Sequence, residues 1–278
     1  MAGGTQRISP TAHYTAEVWA RNGLAPAELR TLQGRLLHLA LAPINAAGQR
    51  RFGLSIEPFL LARHRGIDAL LSSAIDAGEI GQVVELAAGL SPRGWRFHQR
   101  YGARIDYIET DLPEMAARKR AALTRAGDLD DHHRVTALDA TRPTGPGSLT
   151  ELVSGLDPKR GTAIITEGLL NYLPRGQLLG TWTRFAGALA GFPHGRYYSD
   201  LHLDDRSSRP VDLFRLALAG FVRGRVELHF TSTAEVEQHL QSCGFISASV
   251  RRGDRSIPDP APGAELVHVI EARTDPES

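Results

Sequence analysis

Cys243 is the only cysteine in 278 residues, so the chain can form no internal disulfide and has no CxxC metal or redox pair. An excess of one charge is missing too. The 32 basic and 31 acidic residues leave a net charge of +1, without the basic footprint of a nucleic-acid-binding protein. Long apolar runs are absent: the stretch Leu36 to Pro43 is far too short and interrupted to span a membrane. The opening Met1-Ala-Gly-Gly-Thr-Gln-Arg7 has no apolar core behind it, so no signal peptide is expected and the reading is a soluble, cytoplasmic protein. A full GxGxxG fingerprint is also lacking. What remains is ample for a core: 42% hydrophobic content at this length suits one large α/β domain, or one with an added cap.

The chain is organised around Gln82-Val-Val-Glu-Leu-Ala-Ala-Gly-Leu-Ser-Pro-Arg-Gly94. Gln82 to Leu86 reads as a short buried strand, with Val83, Val84 and Leu86 apolar. Ala87, Ala88 and Gly89 then remove bulk, so that backbone amides can approach a ligand, and Gly89 can take a positive φ without strain. Glu85 is a carboxylate inside an apolar strand. Burying it alone is costly, so it calls for a partner, either a cationic ligand or an arginine.

Roughly the first eighty residues read as helical. Residues 1–12 form a loose arm, Tyr14 to Asn22 make a turn or two ending at Gly23, and a helix runs from Pro26 to His38 with Leu29, Leu32, Leu36 and Leu37 at helical spacing. Glu57 to Ala77 is a longer helix. From Gln82 strands and helices alternate. Strands are predicted at 82–86, 104–109, 133–138, 161–166, 195–203, 245–251 and 265–272, and helices at 114–126, 149–156, 177–189, 211–222 and 233–243, with Ser232 or Thr231 capping the last. This pattern implies a mainly parallel sheet with an antiparallel last strand and helices on both faces. Two parts follow: a helical cap or lid over 1–80, and a ligand-binding core over 81–278 with an insertion around 204–232.

Ligands in such sheets bind beyond the carboxyl ends of the strands. Acids fall at four of those ends: Glu85 before the turn at Gly89, Glu109 with Asp111, Asp139, and Glu167. Asp111 lies 22 residues past Gly89, the spacing at which a ribose is gripped. An acid-rich edge suits a nucleoside carrying positive charge, as S-adenosylmethionine does with its sulfonium and ammonium. A pyrophosphate fits less well, and Ala87 stands where a dinucleotide fingerprint wants glycine.

Glu85 to Gly94, Asp111-Leu-Pro113 and Thr166-Glu-Gly-Leu-Leu-Asn-Tyr-Leu173 together resemble the leucine carboxyl methyltransferase family. The closer likeness is to its bacterial branch, similar to the tetracenomycin-pathway O-methyltransferase. Ser9 to Thr15 and Trp19 to Gly23 look like that branch as well. The resemblance covers most of residues 9–175. It implies a class I methyltransferase fold with S-adenosylmethionine as cofactor, S-adenosylhomocysteine as product, and no metal. Carried over by motif, Gly89 lines the methionine part and Asp111 holds the ribose, with Ala87 and Leu112 beside them as further cofactor contacts. Asp139 and Ala140 flank the adenine, Glu167 closes the site at the fourth strand, Glu85 is a further cofactor contact, and Arg63, in preference to Arg65, pairs with the cofactor carboxylate. Eukaryotic members have Asp-Leu where this chain has Asp139-Ala140, a departure at the adenine position.

The expected function is O-methylation of a small-molecule carboxylate or hydroxyl, with no nucleic-acid or membrane partner. Protein or peptide carboxyl methylation, a nicotinamide-dependent oxidoreductase on the same architecture, and a non-catalytic binding scaffold are the alternatives. A carboxylate acceptor needs no general base; for a hydroxyl, His13, Tyr14 and His202 are the candidates. The prefix holding His13 and Tyr14 is expected to cover the site from outside the core. Asp130-Asp131-His132-His133 invites a metal site, but the sequence shows no matching ligand pair at suitable spacing, and no metal is expected. Neither the acceptor's identity nor the oligomeric state has a signature here.

Overall fold

A computed structural model describes residues 10–52, 55–204, 227–257, 260, 262 and 264–275. Seven strands form one sheet: β1 (Gln82–Leu86), β2 (Asp106–Asp111), β3 (His133–Ala137), β4 (Thr162–Thr166), β5 (Gly195–Leu201), β6 (Ser247–Arg252) and β7 (His268–Arg273). Their order is β3-β2-β1-β4-β5-β7-β6. The first five pair in parallel, and β7 runs antiparallel between β5 and β6. The order reverses direction at β1/β4, where doubly wound sheets open a crevice. β1, β4 and β5 are buried along their whole length, as expected for strands covered on both faces.

Helices α3 (Ile56–Asp76) and α4 (Arg93–Tyr101) cover one face, packing Ile67, Leu71 and Phe97 on Val83, Tyr107, Ile165 and Tyr198. Helices α6 (Leu149–Ser154), α7 (Arg175–Leu189) and α8 (Thr233–Ser242) cover the other, where Trp182, Phe185 and Leu240 meet Val84, Ile164 and Tyr197. Ser232 caps α8 by accepting from the Glu235 amide at 3.2 Å. Helix α5 (Pro113–Ala126) follows β2 and ends at Gly127, whose φ of 70° closes the helix in the left-handed region. The predicted helix at 211–222 lies outside the described residues. No helix among the described residues is long and apolar enough to cross a membrane.

The N-terminal segment departs from expectation at its second helix. The helix predicted from Pro26 to His38 is broken. A 3-10 turn at Ala27–Leu29 ends at Arg30, which is extended, and α2 begins afresh at Leu32 and runs to Phe52 through Pro43. Thr31 makes the new start possible, its Oγ1 accepting from the Gly34 amide at 3.0 Å. The break resets the helical phase. Leu29 is buried, but Leu32 and Leu36 are 73% and 58% exposed, while Leu37 and Leu41 face the protein. Helix α1 (Pro10–Arg21), in the segment expected to cover the site, is packed into the protein. Ala16 and Trp19 sit in one buried cluster with Leu29, Leu90 and Met115, and Tyr14 and Val18 in another with Phe59 and Leu60.

Candidate functional site

The groove is built at the carboxyl ends of β1, β2, β4 and β5. After β1 the chain turns through Ala87 and Gly89, with φ of 51° and 53°. Ala87 is the one non-glycine residue in the left-handed region among the described residues, a cost of about 1–2 kcal/mol that the surrounding bonds must offset. Those bonds come from β2. The Ala88 amide donates to the Thr110 carbonyl at 2.9 Å, and the Gly89 amide donates to Asp111 Oδ2 at 2.7 Å. Asp111 Oδ1 accepts from the Leu112 amide, also at 2.7 Å. One carboxylate thus ties the two strand ends together, and each of its oxygens retains acceptor capacity. Burial raises the Asp111 carboxyl above its ordinary value, with the Gly89 and Leu112 amides and Lys119 pulling the other way.

Beneath the turn lies a knot of buried charge. Glu85 is 1% exposed; it accepts from Arg93 Nη1 at 2.6 Å and from the Tyr107 hydroxyl at 2.7 Å. The partner that Glu85 calls for is therefore an arginine, eight residues on in the same stretch. Arg93 is fully buried and also donates to Asp68 Oδ1 at 2.6 Å and to Glu167 Oε2 at 2.5 Å. Burial disfavours its charge, and Glu85, Glu167 and Asp68 more than offset that. Glu109 faces Glu85 across the β1/β2 register and needs its own cations, which are Lys119 and His133, the latter at 2.8 Å. Gly94 makes room for them: a β-carbon there would collide with Glu109 Oε1 and His133 Nε2.

On the β4/β5 side, Arg63 Nε donates to Glu167 Oε1 at 3.0 Å, and its Nη1 lies 3.5 Å from Asp200 Oδ2. Its Nη2 has no hydrogen-bond partner among the described residues. Asp200 Oδ1 accepts from the Gly168 amide at 2.6 Å. Gly168 has a φ of 67°, and a β-carbon on it would press on the Arg63 guanidinium at 3.1 Å, so glycine is required there. Burial pushes Glu167 up, but His64, Arg93 and Arg63 outweigh it and hold the carboxyl well below the usual range. Burial raises Asp200, opposed by Arg63 and reinforced by Glu167.

Asp139 Oδ1 accepts from the Thr141 amide at 2.9 Å and from its hydroxyl at 2.6 Å, which shapes the loop after β3; Ala140 is buried behind it. Helix α1 crosses the groove. Ala12 Cβ lies 3.6 Å from where a side chain on Gly89 would begin, and Thr11 is hydrogen-bonded to Tyr172 beyond β4.

The structure brings Arg63, Ala87, Gly89, Asp111, Leu112 and Glu167 to one rim, with Asp139 and Ala140 at the neighbouring strand end, and Glu85 below it. His13 is buried between Thr31 Oγ1 at 3.0 Å and Arg118 Nη1 at 3.3 Å; burial, then Arg118, lowers its pKa. Tyr14 OH accepts from Asn45 Nδ2 at 3.0 Å, and burial raises its pKa. These partners belong to the helical prefix and α5. The ring of His202 packs on Phe59 at 4.8 Å, and its backbone is held by Asn171. Asp68, Arg93, Asp200 and Tyr172 were not singled out in the sequence. For Arg93 a signal existed, since it lies within the organising stretch.

Solved structures share this architecture. A proposed methyltransferase from Thermobifida fusca YX superposes with a TM-score of 0.64 at 16% identity, covering 94% of this chain and 93% of that one. Human N-acetylserotonin methyltransferase, solved in complex with S-adenosylmethionine, gives 0.51 at 15% identity over 97% of this chain and 72% of its own. The fold is that of the class I S-adenosylmethionine-dependent methyltransferases. Within that class the chain belongs to the leucine carboxyl methyltransferase family, whose profile matches residues 9–185. A protein of Mycolicibacterium paratuberculosis, whose name proposes S-adenosyl-L-methionine-dependent methyl transfer, is 35% identical over 168 residues, 60% of this chain and 52% of the relative. A similarly named protein of Mycobacterium ulcerans is 30% identical over 201 residues, 69% of this chain and 63% of its own length. The chain spans about half the length of the curated relatives it matches.

Proposed function

We propose that this chain is an S-adenosylmethionine-dependent O-methyltransferase acting on a carboxylate or hydroxyl of a small molecule. The observation that carries the reading is the charge pattern at the strand ends: a cation, Arg63, with Nη2 turned to no described partner, held by Glu167 and Asp200 beyond β4 and β5, and a second carboxylate, Asp111, at the end of β2. That pattern fits a ligand with both a carboxylate and positive charge. The left-handed turn at Ala87–Gly89 and the side-chain-free Gly168 leave room for close backbone approach.

When bound, S-adenosylmethionine supplies a sulfonium methyl, which passes to the acceptor oxygen and leaves S-adenosylhomocysteine. The chain's own residues bind and orient. Arg63 would pair with the cofactor carboxylate, with Nη2 as the donor that no described group occupies. Asp111 offers its remaining lone pairs to the ribose hydroxyls. Ala87 and Gly89 line the methionine part, Leu112 the ribose, and Asp139 with Ala140 the adenine. Glu167 and Asp200 hold Arg63 in place, and Glu85 acts from beneath through Arg93. The first turn of α1 keeps water from the groove. Positioning of this kind supplies about 7–11 kcal/mol in well-oriented reactions. The described partners of His13 and Tyr14 favour a packing role for both, and His202 is the preferred candidate to accept a proton from a hydroxyl.

The family name favours a second acceptor class, a peptide carboxylate ending in leucine. Turnover assays that follow S-adenosylhomocysteine release decide between them. We expect release with small carboxylic acids or phenols and none with leucine-terminated peptides; the opposite result would move the assignment to the peptide. Binding of NAD(H) without binding of S-adenosylhomocysteine would favour the oxidoreductase alternative instead.

A further inference from the structure

At the far end of the sheet from the groove, His98 on α4, Asp128 just after α5 and His133 at the start of β3 converge, with their ligating atoms all within 4.8 Å of one another. We propose that these three residues form a binding site for a divalent transition metal of the zinc class, separate from the methyl-transfer groove.

Both imidazoles are held from two sides. His98 Nδ1 and His133 Nδ1 point at the same carboxylate, at 3.2 Å from Asp128 Oδ1 and 2.6 Å from Asp128 Oδ2. Their outer nitrogens are each fixed by a separate carboxylate: His133 Nε2 lies 2.8 Å from Glu109, and His98 Nε2 lies 3.1 Å from Asp130. A metal-binding histidine needs this arrangement, in which a carboxylate holds the distal N–H so that the other nitrogen presents its lone pair to the ion. It occurs here twice around one acid. Asp128 is oriented in turn by Gln99 Nε2 at 2.6 Å, and Asp130 Oδ1 pins the loop backbone by accepting from the His132 and His133 amides.

The donor set of two imidazoles and one carboxylate is that of zinc and its neighbours, not of magnesium or calcium, which prefer oxygen. Ligands on a tetrahedral zinc lie about 3.3 Å apart, given bonds of about 2.0–2.1 Å. Both histidine–Asp128 separations are already near or below that, so only the two Nδ1 atoms must draw together. Charge balances with the metal present. Glu109 keeps Lys119 as its counter-ion, and the dication faces Asp128, with Asp130 behind the His98 ring. Without a metal the same atoms share protons, each histidine bridging two carboxylates. Solvent reaches the cluster from the Asp130 side, where that side chain is 51% exposed.

The sequence did not show the site because His98 lies on α4, far along the chain from the Asp130–His133 run that leads into β3. Its distance from the chemistry is set by β3: His133 lies four residues before Ala137 at the carboxyl end of the strand, about 13 Å at the usual rise. The metal is therefore a structural or regulatory ion, not a participant in methyl transfer. The network does reach the groove, since Lys119 Nζ, paired with Glu109, approaches the Ala88 carbonyl at 3.5 Å.

The test uses chelator-treated full-length protein titrated with Zn²⁺ by calorimetry and with Co²⁺ by visible absorption. We expect one equivalent of Zn²⁺, an intense Co²⁺ spectrum of low coordination number, and a higher melting temperature with Zn²⁺. His98→Gln, at the solvent side, should abolish stoichiometric binding. Asp130→Asn, which loosens only the outer support of His98, should weaken it 10–100-fold. His132→Gln, whose ring pairs instead with Asp106, should bind like wild type. Absence of saturable binding in the wild-type protein would overturn the proposal in favour of a proton-only network. Undiminished binding in His98→Gln, or a weak six-coordinate Co²⁺ spectrum, would overturn it in favour of adventitious surface histidines.

Discussion

Replacing Arg93 by methionine removes a guanidinium that touches Asp68, Glu85 and Glu167 at 2.6, 2.6 and 2.5 Å. The three acids come from α3, β1 and the end of β4, so the loss strands negative charge at the junction of three elements. Breaking one buried pair costs about 3–5 kcal/mol, because the abandoned charge stays out of water. The three carboxylates share one cation and can take up protons, so the costs do not add threefold. We expect about 3–5 kcal/mol in all, a fall in melting temperature of roughly 6–20 °C. Arg93→Lys should recover little, since an ammonium on a flexible stem cannot serve three carboxylates in fixed directions. Urea unfolding of Arg93→Met, Glu85→Leu and the double variant gives the coupling. With Glu85 gone, the double variant should be more stable than the sum of the single losses predicts by about 0.5–3 kcal/mol. An Arg93→Met protein within about 1 kcal/mol of wild type, or strict additivity in the double variant, would refute the reasoning.

Asp111→Ala should weaken S-adenosylhomocysteine binding by about 1–3 kcal/mol. It should also lower stability by a similar amount, because the Gly89 and Leu112 amides lose their acceptor; a variant of wild-type melting temperature would count against this role. Acid should weaken the fold through Glu167. Its folded-state pKa is depressed, so its contribution is complete above the unfolded value of about 4.3 and is lost as pH falls further; the acid limb of a stability–pH curve should be shallower in Glu167→Gln, and identical limbs would count against this. Deleting residues 1–23 should prevent folding, since Tyr14, Val18 and Trp19 leave two buried clusters at about 1.5–3 kcal/mol each. A truncated protein with a cooperative, near-native melt would contradict the packing described for α1.

Much of the core was legible because its strands are short apolar runs bounded by glycines and acids; β1 runs from Gln82 to Leu86, as its sequence suggests. Periodicity misled where a local break intervened. Leu29 and Leu32 have helical spacing, but extended Arg30 separates them into different elements with different phases. The rim was partly readable from acids at strand ends. Asp200 escaped because it lies inside β5, in a run where every residue is buried, and nothing local shows that its carboxylate reaches Gly168 and Arg63. Glu85 announced its need for a cation. That Arg93 supplies it, and serves Asp68 and Glu167 as well, depends on how α3 and α4 pack against the sheet, which is a tertiary fact.

Calorimetric titration of S-adenosylhomocysteine and of adenosine into wild-type and Arg63→Lys proteins tests the central claim most directly. The account predicts that the wild-type protein binds S-adenosylhomocysteine, and that Arg63→Lys raises its dissociation constant at least tenfold, about 1.4 kcal/mol, while leaving adenosine, which lacks the carboxylate, nearly unchanged. Equal losses for both ligands would make Arg63 structural, and a wild-type protein that binds no S-adenosylhomocysteine would contradict the account.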